Sequence, residues 1–260
     1  MLKLASLNRL ADQLVREGYQ RVLAPPALIR FTGLEEADVL INDISGYPHA
    51  FVIACVMDRQ IKAEKAWLIP YELKQRLGFF DFANLASLGK SSPDKLTEAM
   101  LQPTPLHRFP NEMSKSLLAA IDRIEDEFGG NAGDMWAGRP SSATIVRRFL
   151  EFRGVGQKIA TMAANILVRD FRIEVSDRYS IDISVDVQVT RVFARLGFVP
   201  MNTSVDYLIF RARELHPEYP GIFDLALWEL GRTVCRPKHP DCGNCPYSHL
   251  CVYANRGDAS

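Results

Sequence analysis

The stretch "FLEFRGVGQKIATMAANIL", residues 149–167, holds the pattern that decides the fold. One apolar run ends at Phe152 and a second begins at Gln157, and the link between them is Arg153, Gly154, Val155 and Gly156. Two glycines around a small apolar residue let the backbone turn sharply and leave amide groups facing outward at a helix N-terminus. Such a turn can hold the phosphates of a nucleic acid without reading its sequence. The stretch therefore predicts two helices joined by a phosphate-binding hairpin.

The segment around this hairpin is basic although the chain as a whole is not. The 260 residues include 31 Lys and Arg against 31 Asp and Glu, so the formal net charge is zero. Residues 143–170 nevertheless carry five basic side chains against two acidic ones, which are Arg147, Arg148, Arg153, Lys158 and Arg169 against Glu151 and Asp170. A nucleic-acid surface on this chain must be a local patch, and this segment is the candidate.

The composition is that of an ordinary globular protein, with 47% hydrophobic and 24% charged residues. It excludes disordered and collagen-like chains, and 260 residues can form one large domain or two smaller ones. The first 20 residues carry charges throughout and lack the apolar core of a signal peptide. No stretch approaches the roughly 18 apolar residues of a membrane span. We therefore expect a cytoplasmic protein that does not bind membranes, nucleoid-associated if its source is prokaryotic.

Four cysteines crowd into "CRPKHPDCGNCPYSHLC", residues 235–251. They are Cys235, Cys242, Cys245 and Cys251, with six, two and five residues between them. Because thiols stay reduced in the cytosol, such a group indicates a metal site rather than a disulfide framework. Zinc ribbons usually have two short Cys-x-x-Cys knuckles, and this loop has one, so the spacing favours an iron–sulfur cluster while zinc stays open. The fifth cysteine, Cys55, lies in an apolar run and is interpreted as a buried hydrophobic residue.

Most of the remaining chain has helical periodicity. Short apolar-periodic segments begin near capping residues, and several of them end at glycine or before proline. The exception is "RIEVSDRYSIDISVD", residues 172–186, in which apolar and polar residues alternate. A period of two predicts a β-hairpin that turns near residues 177–180.

The hairpin and the cysteine loop together resemble the endonuclease III branch of the helix-hairpin-helix DNA glycosylases. That family follows a Gly-Val-Gly hairpin with a catalytic lysine, then an aspartate, then a C-terminal loop of the same cysteine spacing. The resemblance covers about residues 49–253. It implies a [4Fe-4S] cluster on the four cysteines and a structural role for that cluster. It also implies double-stranded DNA with damaged bases or abasic sites as the partner, and we expect a monomer.

Matching the family's motifs residue by residue gives an expected site. Lys158 in "GVGQKIA" takes the place of the lysine nucleophile, and Asp186 in "SVDVQVTRVF" that of the aspartate. Gln60 in "MDRQIKAEKAW" matches the glutamine that enters the duplex near the vacated base, and we expect Arg59 to act beside it. The other expected DNA contacts are Arg153, Gly154, Val155 and Gly156 in the hairpin, and Arg236 and Lys238 in the cysteine loop.

The resemblance implies a bifunctional DNA N-glycosylase and AP lyase of base-excision repair. Such an enzyme rotates a damaged base out of the duplex, with oxidised pyrimidines as the default. Its lysine attacks the sugar C1′, and β-elimination then nicks the strand. The adenine-excising relatives lack this lysine. They carry a catalytic glutamate shortly before the matching glutamine, where this chain has "ACVM", residues 54–57, so adenine excision is disfavoured.

Two other functions stay open at this point. The chain could be a monofunctional glycosylase in which Asp186 activates water and Lys158 only binds phosphate. It could also be a non-catalytic iron–sulfur protein that uses the hairpin to bind DNA. Strand nicking and covalent trapping on abasic DNA separate these possibilities.

The expected fold is mainly α, with the two lobes of the helix-hairpin-helix DNA glycosylases and a small β-hairpin insertion. One lobe is a six-helix barrel over residues 49–172, and the other combines residues 1–48 with 173–260 and holds the cluster. DNA is expected in the cleft between them, where the catalytic lysine and aspartate should meet. These two are 28 residues apart, which is wider than the family norm, and the β-hairpin would account for the excess.

Overall fold

In the computed structural model, which describes residues 2–25 and 27–255, the chain forms α-helices joined by short links. The helices are α1 (Leu2–Leu23), α2 (Glu35–Asn42), α3 (Pro48–Met57), α4 (Ala63–Leu77), α5 (Phe82–Ser91), α6 (Pro93–Leu101), α7 (Pro110–Phe128), α8 (Ser142–Leu150), α9 (Gln157–Arg169), α10 (Val187–Leu196), α11 (Val205–Leu215) and α12 (Asp224–Thr233). Short 3-10 helices lie at Ala132–Met135, Pro220–Phe223 and Cys242–Asn244. The mainly helical architecture expected from the sequence is confirmed.

The chain divides into two compact units. One unit, the hairpin unit, comprises Pro26–Pro140 and Thr144–Glu174 and contains the glycine hairpin. The other, the cysteine unit, comprises Met1–Pro25, Ser141–Ala143 and Val175–Ser260. Each unit has its own core of buried apolar side chains.

Helix α3 is the centre of the hairpin unit. All ten of its residues are buried, because its sequence, PHAFVIACVM, is apolar on every face. It packs against α2, α4, α7 and α9. Phe51 lies at its middle and makes edge-to-face contacts with Trp136, Phe149 and Phe171, with ring centroids 5.3 to 6.2 Å apart. These aromatic contacts restrict movement of α3 along its own axis. They therefore also position the residues that follow its C-terminus.

Residues 26–48 were expected to lie with the cysteine loop, but residues 27–48 pack with the hairpin unit. The reason is aromatic and helical packing onto α4. The ring of Phe31 stacks on that of Trp67 with centroids 4.3 Å apart, and α2 packs against both α3 and α4.

The cysteine unit is built on the pair α10 and α12, which pack along each other. Phe193 of α10 lies between Phe198 and Phe223, with ring centroids 4.8 and 6.2 Å away. Helix α1 packs against α12 and against the 3-10 helix before it, burying Leu10 and Leu14 completely. Helix α10 thus packs against α12, and α12 in turn packs against α1.

The predicted β-hairpin at residues 172–186 is wrong. This segment is fully described and contains no strand. The alternating pattern does reflect burial, because Ile181 and Ile183 are both inaccessible. The polar backbone groups, however, bond to other parts of the cysteine unit: the Ile181 carbonyl accepts from the Gly221 amide at 2.7 Å, and the Ser184 amide donates to Asp224 Oδ1 at 3.1 Å.

Side chains of residues 172–186 also form hydrogen bonds with residues outside this segment. Asp182 is buried and receives two hydrogen bonds of 2.7 Å from the Arg213 guanidinium on α11. The Ser142 hydroxyl donates to the Asp177 carboxylate and accepts from the Ser180 amide. The period of two therefore marks an extended segment and not a hairpin, because Ile181, Ser184 and Asp182 have hydrogen-bond partners elsewhere in the chain.

Across the described residues, no helix combines the length and apolar content needed to cross a membrane.

The buried histidine of α3 predicts a dependence of stability on pH. His49 is buried and its Nε2–H donates to the Phe80 carbonyl at 2.7 Å, and burial lowers the pKa of its imidazole. The unfolded chain therefore binds a proton at a pH where the folded chain does not, so stability is lost as the pH falls below about 6.5. We expect His49→Gln to reduce the loss of unfolding free energy between pH 7 and pH 5, measured by urea denaturation. The matched change at exposed His239 should leave that loss unaltered, and an equal effect of both changes would contradict this account.

Candidate active site

The glycine hairpin joins α8 to α9 by the turn that the sequence predicts. Gly154 has a φ of 81°, in the left-handed region that favours glycine. The Val155 side chain is buried and its amide bonds to the Phe152 carbonyl at 3.0 Å, which anchors the turn. Gly156 is the N-cap of α9 and has no side chain to satisfy the first-turn amides. The Ile159 amide donates to the Gly156 carbonyl at 3.1 Å, and the amides of Gln157 and Lys158 are the site for an external anion.

The loop after α3 lies against this hairpin. The guanidinium of Arg59 fills the space beside Gly154, where a Cβ would come within 2.3 Å of Arg59 Nη1. Its neighbour Gln60 is exposed and has a φ of 55°, an uncommon backbone conformation outside glycine. Arg153 is also exposed and pairs with Glu112 at 3.4 Å. Two sequence-predicted groups, the glycine hairpin and Arg59, are thus in contact.

Lys158 lies in the first turn of α9, two residues after the hairpin. Its side chain is 37% exposed, and its Nζ donates to Asp58 Oδ2 at 2.6 Å. The Met162 sulfur lies 3.8 Å from the same nitrogen, one helical turn further on. Asp58 is the residue at the C-terminal end of α3, and its side chain is only 7% exposed. The lysine at the expected nucleophile position is therefore half-buried and ion-paired.

Both members of this ion pair occupy the helix end that disfavours their charge. The C-terminus of α3 carries a partial negative charge, and the negatively charged Asp58 lies there. The N-terminus of α9 carries a partial positive charge, and the positively charged Lys158 lies there. Each such mismatch typically disfavours the charged side chain by about 0.3 to 1 kcal/mol. The pair compensates for both mismatches at once. An arrangement that stability alone does not favour is typical of a functional site.

Asp58 was not identified from the sequence. In the sequence, Asp58 only breaks the apolar run after Met57, before the loop that contains Gln60. An acidic residue that directly follows a wholly apolar helix was the available signal, because the end of such a helix is buried.

Asp186 is the N-cap of α10 in the cysteine unit. Its Oδ1 accepts from the amides of Gln188 and Val189, both at 2.8 Å, so the side chain is fixed at the helix start. Val187, the next residue, is 74% exposed. Asp186 is therefore an N-cap in the structure, and this role leaves its Oδ2 outside the capping bonds.

Two arginines of α10 hold the cysteine loop. Arg191 Nε donates to the Cys235 carbonyl at 2.9 Å and its Nη2 donates to the Gly231 carbonyl at 2.7 Å. Arg195, which is 8% exposed, donates to the carbonyls of Arg236 and Pro237 at 2.7 and 2.9 Å. The same helix thus carries Asp186 at its start and binds the loop along its length.

All four loop cysteines line one pocket, together with Arg195 and Tyr253. Each is a free thiol, and Arg195 Nη1 lies 3.4 Å from Cys235 Sγ. Burial raises the pKa of Cys245 and of Cys251, and the neighbouring loop thiols raise it further. Within residues 2–25 and 27–255, no three His, Cys, Asp or Glu side chains are close enough to hold a single metal ion. Arg236 and Lys238 on the same loop are exposed.

No family model matches the chain. Among curated proteins, the adenine DNA glycosylase of Mus musculus is 39% identical over 134 residues, which is 50% of this chain and 22% of that protein. The chain thus spans less than a quarter of the length of the first curated relatives it matches. Endonuclease III of Thermotoga maritima is 22% identical over 210 residues, which is 80% of this chain and 84% of that protein.

A solved structure of a trapped endonuclease III–DNA covalent intermediate superimposes with a TM-score of 0.57 at 16% identity, covering 88% of this chain and 99% of that one. The chain is therefore similar in fold to endonuclease III. The resemblance to the endonuclease III group in the sequence rests on the Gly-Val-Gly hairpin, the lysine after it, the aspartate at the start of α10 and the spacing of the four loop cysteines.

The expected site of this endonuclease III-like chain is distributed over both units. The hairpin unit holds Lys158, Arg59, Gln60 and the hairpin, and brings the first two close to the hairpin. The cysteine unit holds Asp186, the four cysteines and the two exposed basic residues of their loop. These residues stay predictions from the sequence, and the sequence did not point to the Asp58 carboxylate.

The left-handed backbone conformation of Gly154 leads to a prediction about stability. Replacing Gly154 by alanine forces a side chain into the left-handed region and against the Arg59 guanidinium. We expect Gly154→Ala to lower the unfolding free energy by about 1 to 2 kcal/mol, measured by urea denaturation. Gly89→Ala is the matched control, because Gly89 lies within α5 with its nearest neighbour at 3.7 Å, and alanine favours helices. Equal losses in the two variants would show that the hairpin does not require glycine at position 154.

Proposed function

We propose that the chain is a bifunctional DNA N-glycosylase and AP lyase of base-excision repair, acting on damaged bases and with oxidised pyrimidines as the first class to test. The observation that carries this proposal is the lysine amine placed directly after a phosphate-binding hairpin. Lys158 Nζ is partly exposed and held by a buried carboxylate at 2.6 Å. The endonuclease III–DNA complexes to which the fold is similar support DNA as the partner.

The hairpin supplies the grip on the DNA backbone. The first-turn amides of α9 offer hydrogen bonds to a phosphate, and the left-handed Gly154 presents the backbone without a side chain in the way. Arg153 is exposed beside it and adds positive charge. Contacts of this kind bind the duplex independently of its sequence, so recognition of the damaged base requires other groups.

Gln60 and Arg59 are the residues proposed to enter the space of the extruded base. Extrusion requires a side chain to replace the stacking and pairing that the base loses. Gln60 is exposed in the loop after α3 and has a left-handed backbone conformation. Arg59 lies against Gly154 of the hairpin. The loop after α3 and the hairpin, the two elements proposed to contact DNA, are therefore in contact with each other.

Lys158 is the proposed nucleophile. The neutral amine attacks the sugar C1′, and the bond from C1′ to the base breaks with its electron pair going to the base, which takes up the proton that the nitrogen loses. The nitrogen lone pair then opens the sugar ring: the C1′–O4′ bond breaks with its pair going to O4′, which takes up a proton from solvent, and a protonated Schiff base forms. Loss of a C2′ proton then expels the 3′ phosphate and nicks the strand. Asp186 is proposed to stabilise the positive charge that develops on the sugar, as carboxylates do in glycoside hydrolysis. Its fixed position as an N-cap suits that role.

A [4Fe-4S] cluster is proposed for the cysteine loop. The four thiols that line one pocket are the donor set such a cluster requires, and two arginines lie beside them. Cys245 and Cys251 have raised pKa values, so a positive metal centre is needed to ionise them at neutral pH. The cluster would fix the loop and present Arg236 and Lys238 to phosphates, while the protein side chains carry out base excision and strand nicking.

The proposed nucleophile is tested by sodium borohydride trapping on duplex DNA with one abasic site. We expect the wild type to form a covalent adduct and Lys158→Gln to form none, because the amide has no nucleophilic lone pair. Glutamine is used because it can still donate to buried Asp58 and so protects the fold. Lys62→Gln, at an exposed lysine in the loop before α4, is the control and should trap at the wild-type rate.

Three results would contradict this proposal. Adduct formation that survives in Lys158→Gln means that another amine is the nucleophile. Base release from damaged duplexes without any trapping or nicking by the wild type means that the chain is a monofunctional glycosylase. Salt-sensitive DNA binding without base release from any lesion means that the chain only binds DNA.

The proposed cluster is tested by metal content and visible absorbance after anaerobic purification. We expect about four iron atoms per chain in the wild type, and loss of most of them in Cys245→Ser. Cys55→Ala is the matched control, because Cys55 lies in the buried helix α3 of the hairpin unit and should leave the iron content unchanged. One zinc ion per chain in place of iron would contradict the cluster.

A further inference from the structure

We propose that Asp58 is a catalytic residue of this site, which takes a proton from Lys158 and then serves as the counter-ion of the Schiff base. The inference rests on the proposed lyase function, and it adds a residue to which neither the sequence pattern nor the resemblance assigned a role. It is carried by the contact between Asp58 Oδ2 and Lys158 Nζ at 2.6 Å.

The Asp58 carboxylate is more buried than the Lys158 amine, as the proposed role requires. The Asp58 side chain is 7% exposed, whereas that of Lys158 is 37% exposed. The amine can therefore be reached from solvent, and the carboxylate sits behind it. A substrate that meets Nζ from the open side leaves the carboxylate in contact with the nitrogen throughout the reaction.

Asp58 is held rigidly in this position. It directly follows α3, whose ten residues are all buried, and its amide donates to the Cys55 carbonyl at 3.1 Å. Lys158 approaches from α9, which itself packs against α3. The two backbones that carry the pair are thus fixed relative to each other, so the carboxylate can act on the nitrogen without a rearrangement.

The other polar groups near the pair do not compete for this role. Arg59 follows Asp58 in the chain, but its guanidinium lies against Gly154 and the Met113 sulfur. Cys55 lies one turn earlier on α3, and burial, followed by the negative charge of Asp58, raises the pKa of its thiol, which keeps it protonated. Lys158 is therefore the cation that the buried carboxylate bonds.

The charge on the lysine nitrogen explains why a carboxylate is needed. The resting ammonium carries one positive charge, and so does the protonated Schiff base that it forms. Between them the nitrogen must become a neutral amine to attack carbon. A carboxylate in contact with the nitrogen stabilises both charged states and provides a place for the proton during the attack.

The proton and electron balance can be followed on an abasic site with its C1′ aldehyde. Lys158 gives one proton to Asp58, and the nitrogen lone pair forms the bond to C1′ while the carbonyl π pair moves onto oxygen. A second proton passes from nitrogen to that oxygen. Asp58 then returns its proton as the C–O bond breaks, water leaves, and the nitrogen lone pair completes the C=N bond. The products are one water and an iminium facing the Asp58 carboxylate.

The test measures single-turnover nicking and affinity on the same abasic duplex at pH 7. Wild type, Asp58→Asn, Asp58→Glu and Lys158→Gln are compared, with binding measured by fluorescence anisotropy. We expect Asp58→Asn to nick at least tenfold more slowly while its Kd for abasic DNA stays within about twofold of the wild type. Asp58→Glu retains the carboxylate and should recover a substantial part of the rate.

Different results test the role of Asp58 and the proposed lyase function. If the wild type nicks, Lys158→Gln does not, and Asp58→Asn nicks as fast as or faster than the wild type, the role of Asp58 is overturned while the lyase function stands. If the wild type does not nick at all, the proposed function fails, and the role of Asp58 with it. Should Asp58→Asn fail to fold, Asp58→Ser takes its place, and the same comparison decides.

Discussion

The complete burial of α3 is the constraint on which the described site depends. A helix with apolar residues on every face can lie only at the centre of a unit, so α2, α4, α7 and α9 pack around it. Its C-terminus then releases Asp58, Arg59 and Gln60 in succession, one buried, one partly buried and one exposed. The first bonds Lys158 and the second lies against Gly154. Three consecutive residues therefore link the core to the amine and to the hairpin.

In the cysteine unit, helix α10 positions both Asp186 and the cysteine loop. Helix α10 is capped by Asp186, and its two arginines bind carbonyl groups of the cysteine loop. Arginine suits this role because one guanidinium can donate to several carbonyls at once. The thiols and the capping carboxylate are therefore parts of one rigid piece. A cluster bound by the thiols would stabilise the helix that presents Asp186 without taking part in catalysis.

The sequence predicted the helices and the hairpin because both depend on local patterns. Gly154 and Gly156 flank a turn that few other sequences can make, and the helical period repeats in every unit of the chain. The prediction failed at residues 172–186, because Ile181 and Ile183 are buried in an extended segment whose partners are Gly221 and Asp224, about 40 residues away. Asp58 was missed for a related reason, since its partner Lys158 lies 100 residues along the chain.

The central claim is that the Lys158 amine, positioned by the hairpin and by Asp58, forms the covalent bond to the sugar. The most direct measurement is peptide mapping by mass spectrometry of the wild-type protein after borohydride trapping on abasic DNA. We expect the added deoxyribose fragment on the peptide that contains Lys158 and on no other. A fragment attached to Lys62, Lys65 or the N-terminal amine would contradict the account.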